Sequence, residues 1–148
     1  MPWKTSLIVV ALAVASQTSP CIADGALAIG LPADVARSGF ASGNGINAPN
    51  TDAARAQALE GCRGSVGASE DARKLCKVIA TFHDQCFAIA LDPADGTPGV
   101  GWAVAASQDA ANARALAQCR KTAGAKREKF CIIPDDRGTS GGCDGNAK

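Results

Sequence analysis

The chain has 148 residues, a length typical of one domain, and its formal net charge is +1 with 20% charged residues. This balance excludes a strong non-specific attraction to nucleic acid or to an anionic membrane. Aromatic residues make up only 4% of the chain and tyrosine is absent. The core contacts of such an alanine-rich chain are expected to be small, so covalent cross-links are a plausible source of extra stability.

The first element in the chain is a predicted secretory leader. Lys4 precedes an unbroken apolar run of nine residues, which is shorter than the roughly 20 residues that a membrane-spanning helix needs. Two small-residue sites compete for cleavage, one after Ala15 and one after Ala23. We prefer cleavage after Ala23, because it leaves a polar segment ahead of the cut and removes Cys21, so that an even number of cysteines remains.

The predicted organisation is therefore a leader at residues 1–23 and a single domain at 24–148. Cleavage removes one lysine and no acidic residue, so the predicted mature chain carries no net charge. We expect export to the periplasm or the extracellular space, with no membrane insertion after cleavage. The oligomeric state is left open.

A weak internal duplication organises the rest of the chain. Residues 53–63 align without gaps to residues 110–120, and both segments carry Ala-Leu-x-x-Cys near their ends. Each copy has the pattern strand, strand, helix, strand. This predicts an α+β fold of two pseudo-symmetric β-β-α-β repeats. We expect one antiparallel-rich sheet of about six strands, two helices on one face and three disulfides.

In chain order, the first strand is predicted at residues 26–29 and a second near Phe40. The first helix has Thr51 as its predicted N-cap, and the second has Ser107. Glycine, asparagine and serine dominate residues 42–50 and 138–148, which are predicted to be a loop and a flexible tail. The remaining predicted strands and their connection are Val78–Phe82, the hairpin His83–Gln85, Phe87–Leu91, Trp102–Ala106 and Cys131–Ile133.

Six cysteines remain in the predicted mature chain, and spacing alone allows 15 pairings. The duplication reduces them, because Cys62 and Cys119 end the two helices while Cys76 and Cys131 open the strands that follow. The predicted disulfides are Cys62–Cys76, Cys119–Cys131 and Cys86–Cys143. No C-x-x-C pair suggests a metal site, and no metal or other cofactor is expected.

These features together resemble the bacterial "domain of unknown function 4189" family of small exported, cysteine-containing proteins. The similarity rests on the segments Gly25–Gly30, the repeated Ala-Leu-x-x-Cys helix ends, Cys76–Phe82 and Gly101–Val104, and it extends from Gly25 to Cys143. The resemblance implies export and a common fold. It implies no shared activity and no catalytic residue.

No catalytic constellation stands out, and none is predicted. His83, the only histidine, is interpreted as a solvent-facing turn residue, since a disulfide uses Cys86. Loop carboxylates such as Asp92 and Asp95 leave open a cell-envelope hydrolase. The possible partner surface consists of Trp102 and a basic stretch, Lys121, Lys126, Arg127 and Lys129.

The sequence thus favours a non-enzymatic binding module, such as an inhibitor or neutralising partner of another exported or envelope protein. Nucleic acid is not expected as a partner. The alternatives are the cell-envelope hydrolase and a structural component of the envelope.

Overall fold

The computed structural model describes residues 24–134 and 140–148, so the predicted leader and residues 135–139 lie outside the described part of the chain. The fold is α+β, as predicted. Its described strands are β1 (Asp24–Gly30), β2 (Ala41–Ala48), β3 (Lys77–Phe82), β4 (Cys86–Leu91), β5 (Val100–Ala105) and β6 (Gly141–Cys143). Its described helices are α1 (Val35–Ser38), α2 (Thr51–Arg63), α3 (Glu70–Lys74) and α4 (Gln108–Ala123), and a 3-10 helix covers Glu128–Phe130.

The six strands form two antiparallel sheets, where the sequence predicted one. The first sheet has the order β2-β1-β3 and the second has the order β5-β4-β6. The predicted hairpin at His83–Gln85 is wrong, because this connection carries the chain from β3 in one sheet to β4 in the other. The two long helices do not share one face: α2 packs against the first sheet and α4 against the second. The predicted pseudo-symmetry between the halves stays a prediction.

The sheets pack face to face, with one long helix outside each. Successive side chains of a strand point to opposite faces, so Leu27 and Ile29 of β1 meet Phe87 and Ile89 of β4 in a shared inner cluster. The intervening alanines face the helices, as Ala28 does beneath α2. The molecule therefore has four layers, helix–sheet–sheet–helix, with large side chains between the sheets and small ones under the helices.

Glycines on two strands let the helices approach very closely. A Cβ atom on Gly43 would meet the Ala58 carbonyl oxygen and the Cys62 backbone nitrogen of α2. A Cβ atom on Gly101 of β5 would collide in the same way with the backbone of α4. The prediction of a loop over residues 42–50 is wrong for this reason: the glycines that suggested a loop are packing positions inside β2.

The segment predicted to be a flexible tail contains β6 and is tied to several elements. The Asp144 N–H donates to the Gln85 carbonyl at 2.9 Å, and the Asn47 N–H donates to the Asp144 carboxylate at 2.7 Å. At Cys131–Ile133, where a strand was predicted, the structure has a single β-bridge between Ile132 and Leu91. The Ile132 bridge and β6 thus both lie alongside β4.

All three predicted disulfides are present: Cys62–Cys76, Cys86–Cys143 and Cys119–Cys131. Cys86 and Cys143 lie directly opposite each other in the β4–β6 ladder. The other two bonds join the C-terminal part of each long helix, at Cys62 and Cys119, to Cys76 and Cys131.

The predicted N-caps are half confirmed. Ser107 caps α4 by accepting from Ala110, but α2 is capped by Asn50, whose side chain accepts from the Ala53 N–H at 2.9 Å. Thr51 is instead the first residue of α2, and its hydroxyl donates to Asp24.

Candidate functional site

Two ends of the molecule differ in chemical character. We call one the loop end: β1 and β4 both finish there, and their following connections, residues 31–40 and 92–99, line a common groove. The opposite end, which we call the far end, holds the 83–85 connection and residues 144–148. Both long helices finish at the loop end. Cys62 of α2 is bonded to Cys76, the residue before β3, and β3 starts beside Ile29 at the end of β1. Cys119 of α4 is bonded to Cys131, the residue before Ile132, which bridges to Leu91 at the end of β4.

Every exposed large hydrophobic side chain of the described residues lies at the loop end. Leu31 follows β1, Val66 lines the groove between the connections, and Leu75 precedes β3. Phe130 lies under Arg127, whose partner Asp92 lines the same groove, and Ile132 bridges to the end of β4. Their exposed fractions run from 42% for Phe130 to 99% for Val66. This end therefore carries all the exposed large apolar side chains of the described residues, on loops and short turns.

The larger opening at the loop end, here called the loop groove, has a volume of about 770 Å³. Its floor includes Phe40, Ile89 and Leu91, and its rim consists of three short turns. Each turn contains a glycine with positive φ, at Gly39, Gly67 and Gly96, a backbone conformation that glycine adopts without strain. Its lining mixes apolar residues with small polar side chains, such as those of Ser42, Ser65 and Ser69.

A partly buried ion pair fixes one wall of the loop groove: the Asp92 carboxylate is buried and Arg127 is partly exposed. Arg127 donates from Nε and Nη2 to the two carboxylate oxygens of Asp92, at 2.6 and 2.7 Å, and the Ala94 N–H donates to the same carboxylate at 3.1 Å. The hydrogen bonds from Arg127 hold the pKa of Asp92 below its usual value, while burial acts in the opposite direction. The same contact raises the pKa of Arg127. Both oxygens of Asp92 are therefore occupied in a structural role.

A second and more apolar opening, here called the Trp102 groove, has a volume of about 380 Å³. It lies between the connection after β1 and the edge strand β5. Side chains of α4 bind backbone N–H groups on the free edge of β5. The Trp102 backbone N–H donates to Gln118 at 2.9 Å, and the Val100 N–H donates to Thr122 at 2.9 Å. Its walls are formed by Leu31, Pro32, Ala33, Asp34, Val35, Pro98, Val100, Trp102, Gln118 and Thr122.

The structure separates the residues of the predicted partner surface. Trp102 is half-buried, packing on the inner cluster while one part lines its groove. Lys121 lies exposed near the end of α4, and Lys126 and Lys129 are exposed near the loop end. Arg127 is not a free surface cation, because it is bound to Asp92 and stacks 4.4 Å from the Phe130 ring centre. The sequence therefore named three exposed lysines, one groove residue and one structural arginine.

The far end is polar. His83 is half-exposed and lies between Asp24 and Asp84, with nitrogen–oxygen distances of 3.5 and 3.3 Å. Asp144 is fully buried there, and its Oδ2 atom has no hydrogen-bond partner in the described part of the chain. Across residues 24–134 and 140–148, no three histidine, cysteine or carboxylate side chains come together in a way that could hold a metal ion.

Comparison with known proteins places the chain in a family. The family model "Domain of unknown function (DUF4189)" matches residues 25–133. The chain belongs to this family. No curated protein and no solved structure matches the chain. Membership supports the resemblance noted from the sequence and assigns no activity.

Three disulfides indicate an oxidising, non-cytoplasmic environment. None of the helices in the described ranges is both long and apolar enough to span a membrane.

Sequence reasoning missed most of the apolar cluster at the loop end. Leu75 and Phe130 sit beside charged residues in short helical turns, and Ile132 was predicted to be a strand residue. A usable signal existed in the two disulfide loops, since large apolar residues inside a short stapled loop have little core to enter. Val66 and Leu75 lie inside the Cys62–Cys76 loop, and Phe130 inside the Cys119–Cys131 loop.

Proposed function

We propose that this protein is an exported, non-enzymatic binding module that docks another exported or envelope protein through its loop end. The observation that carries the proposal is that, among the residues that the structure describes, the exposed large hydrophobic side chains are confined to this end. Soluble proteins scatter single apolar residues over their surfaces, whereas a grouped set marks an interaction site. The inhibitor or neutralising role expected from the sequence is one form of this function.

The charges around the loop end favour a protein as the partner. Exposed basic side chains at Arg37, Lys77 and Lys129 alternate with exposed acidic ones at Asp34 and Asp95. A nucleic acid or an anionic membrane would be repelled by the carboxylates, since a surface for a polyanion needs one dominant sign. A protein interface commonly has this form, an apolar centre with a polar rim of both signs.

The Asp92 ion pair counts against the hydrolase alternative. A general acid in glycoside hydrolysis needs a carboxyl group with a raised pKa, and Arg127 lowers the pKa of Asp92. A nucleophile or base needs an accessible oxygen, and both oxygens of Asp92 already accept hydrogen bonds. Asp95 is exposed and is left without this neighbour as a catalytic partner.

The test is site-specific photo-cross-linking in the native host. A photoreactive amino acid at Val66, which is 99% exposed, is compared with the same residue at Asp109, an exposed position in the first turn of α4 at the far end. We expect one protein to cross-link from Val66 and not from Asp109, and the purified partner to lose binding on Val66→Asp. Equal cross-linking from both positions, or none from Val66, would overturn the proposal.

A further inference from the structure

Three Asp-Gly pairs occur in the chain, at residues 24–25, 95–96 and 144–145. In such a pair the glycine amide nitrogen can attack the aspartate carboxyl carbon and close a succinimide ring, because glycine has no side chain to obstruct the approach. The reaction is intramolecular, so its rate depends on whether the fold leaves the carboxyl group and the amide free to meet. The three pairs differ sharply in this respect.

The first pair is held at the start of β1. The Asp24 carboxylate accepts from the Thr51 hydroxyl at 2.6 Å and lies 3.5 Å from Nδ1 of His83. Gly25 is paired with Phe82 of β3, and a Cβ atom at Gly25 would collide with the Phe82 ring. The carboxylate therefore has partners, and the packed backbone of Gly25 cannot turn its amide toward that carboxylate.

The third pair is held at the far end. Asp144 is fully buried, and its carboxylate accepts from the Asn47 N–H at 2.7 Å. The Gly145 N–H, which belongs to the attacking nitrogen, donates to the Asn47 side chain at 3.0 Å. A Cβ atom at Gly145 would collide with the Asp84 carboxylate. Both reacting groups of this pair are thus engaged, and the backbone between them is packed.

The second pair has none of these restraints. Asp95 and Gly96 are both exposed and lie in a turn at the rim of the loop groove, where the Thr97 hydroxyl donates to the Ala94 carbonyl at 2.8 Å. Neither the Asp95 carboxylate nor the Gly96 N–H has a hydrogen-bond partner among the described residues. A Cβ atom at Gly96 would meet nothing within 4 Å, so the backbone here has room to rotate. Exposed connections are also more mobile than the elements that they join.

We propose that Asp95 is a site of spontaneous isomerisation to isoaspartate, and that the fold confines this modification to the rim of the loop groove. The Gly96 nitrogen forms a bond to the Asp95 carboxyl carbon, and the carboxyl hydroxyl leaves with the amide proton as water. A water molecule from the solvent then opens the succinimide. Breaking the bond between the Gly96 nitrogen and the main-chain carbonyl carbon of Asp95 gives isoaspartate, whereas breaking the new bond restores aspartate. The overall change is an isomerisation, with no net gain or loss of atoms and no oxidation.

The product has a different main chain at the rim of the loop groove. In isoaspartate the chain continues through the side-chain carbon, so the turn is longer by one carbon atom and its free carboxylate is attached directly to Cα. The shape and charge position of the turn therefore change, although the composition of the protein does not. This chemistry needs no partner protein, so it does not depend on docking at the loop end.

The experiment incubates the folded protein, with its disulfides intact, in mildly acidic buffer and then maps isoaspartate in tryptic peptides by electron-transfer fragmentation. Trypsin places the three Asp-Gly pairs in different peptides, because Arg37 and Arg114 lie between them. We expect isoaspartate at Asp95 and none above background in the other two pairs. In a second sample, reduced and unfolded before the incubation, all three pairs should isomerise at similar rates.

Asp95→Glu is the matched variant. It keeps the negative charge, but its longer side chain would have to close a larger ring, so the isomerised peptide should disappear. The proposal fails if folded protein forms no isoaspartate at Asp95, or if Asp24 or Asp144 isomerises there as fast. It also fails if those two residues stay unreactive in the unfolded sample, because the fold would then not be what protects them. None of these outcomes bears on cross-linking at Val66, so the two proposals are tested separately.

Discussion

Replacing Gly43 by alanine tests the close contact between β2 and α2. The new Cβ atom would collide with the Cys62 backbone nitrogen and the Ala58 carbonyl oxygen, and it would lie 2.6 Å from the Gly61 carbonyl carbon. These are backbone atoms of a helix that the Cys62–Cys76 disulfide also restrains. The helix can relieve the clash only by moving off the sheet, which opens the alanine layer beneath it.

We expect Gly43→Ala to lower the free energy of unfolding by about 2 to 3 kcal/mol, the range seen when an extra group is forced into a packed core. At about 4 °C per kcal/mol for a domain of this size, the melting temperature should fall by about 8 to 12 °C. Urea unfolding with the disulfides intact gives the free energy, and a thermal scan gives the shift.

Gly61→Ala is the matched control on the facing helix. Gly61 is an exposed residue in the last turn of α2, and a Cβ atom there would come no closer than 3.4 Å to Gly43. Alanine is favoured over glycine inside a helix, so this variant should gain about 0.5 to 1 kcal/mol. A neutral Gly43→Ala, or a destabilising Gly61→Ala of equal size, would refute the packing argument.

Three further predictions concern bonds seen in the structure. Arg127→Met should lower stability near neutral pH. Because Arg127 lowers the pKa of Asp92 in the folded protein, the ion pair stabilises the fold fully above the ordinary aspartate pKa of about 3.9. This stabilisation is lost as the pH falls through the lowered pKa of Asp92 in the folded state. Melting curves of the two proteins should therefore converge in strong acid, and a constant gap would contradict the ion pair. Removing Cys86–Cys143, with a sequence separation of 57, should cost about 4 kcal/mol, against about 3 kcal/mol for Cys119–Cys131 with a separation of 12. Equal losses in urea would argue against the chain-entropy account. Thr122→Val removes a hydroxyl that accepts from the Val100 N–H and lies 2.7 Å from the Val100 carbonyl oxygen. It should cost about 1 to 2 kcal/mol and speed amide exchange at Val100, while Thr122→Ser should do neither.

The parts of the fold that could be predicted are those in which side-chain pattern and structure agree. Helices α2 and α4 have regular alanine stripes, and β4 has a clear alternation of large and small residues. The disulfides followed because the duplication fixed which cysteines end the helices.

The errors have a common physical cause. Glycine at Gly43 and Gly45 suggested a loop, because sequence alone does not show that a helix backbone would occupy the space of a Cβ atom. The short connection at His83–Gln85 suggested a hairpin, because its length suits a tight turn between neighbouring strands. Nothing local indicates that the two strands belong to different sheets.

For the candidate site, a partner role for Trp102 and the three exposed lysines stays a prediction, and Arg127 could not be recognised from the sequence as structural. Its partner Asp92 lies 35 residues away, and only the folded chain brings the two together.

The positions of the disulfides bear on the docking surface proposed at the apolar end. Cys62–Cys76 and Cys119–Cys131 both lie at this end and close the short loops that present Val66, Leu75 and Phe130. Those loops have few large buried side chains of their own, so without the bonds they would be mobile. Ordering such loops on association would weaken binding. Cross-linking them in the free protein removes much of that cost, so these two bonds both stabilise the domain and hold its apolar end in a fixed arrangement.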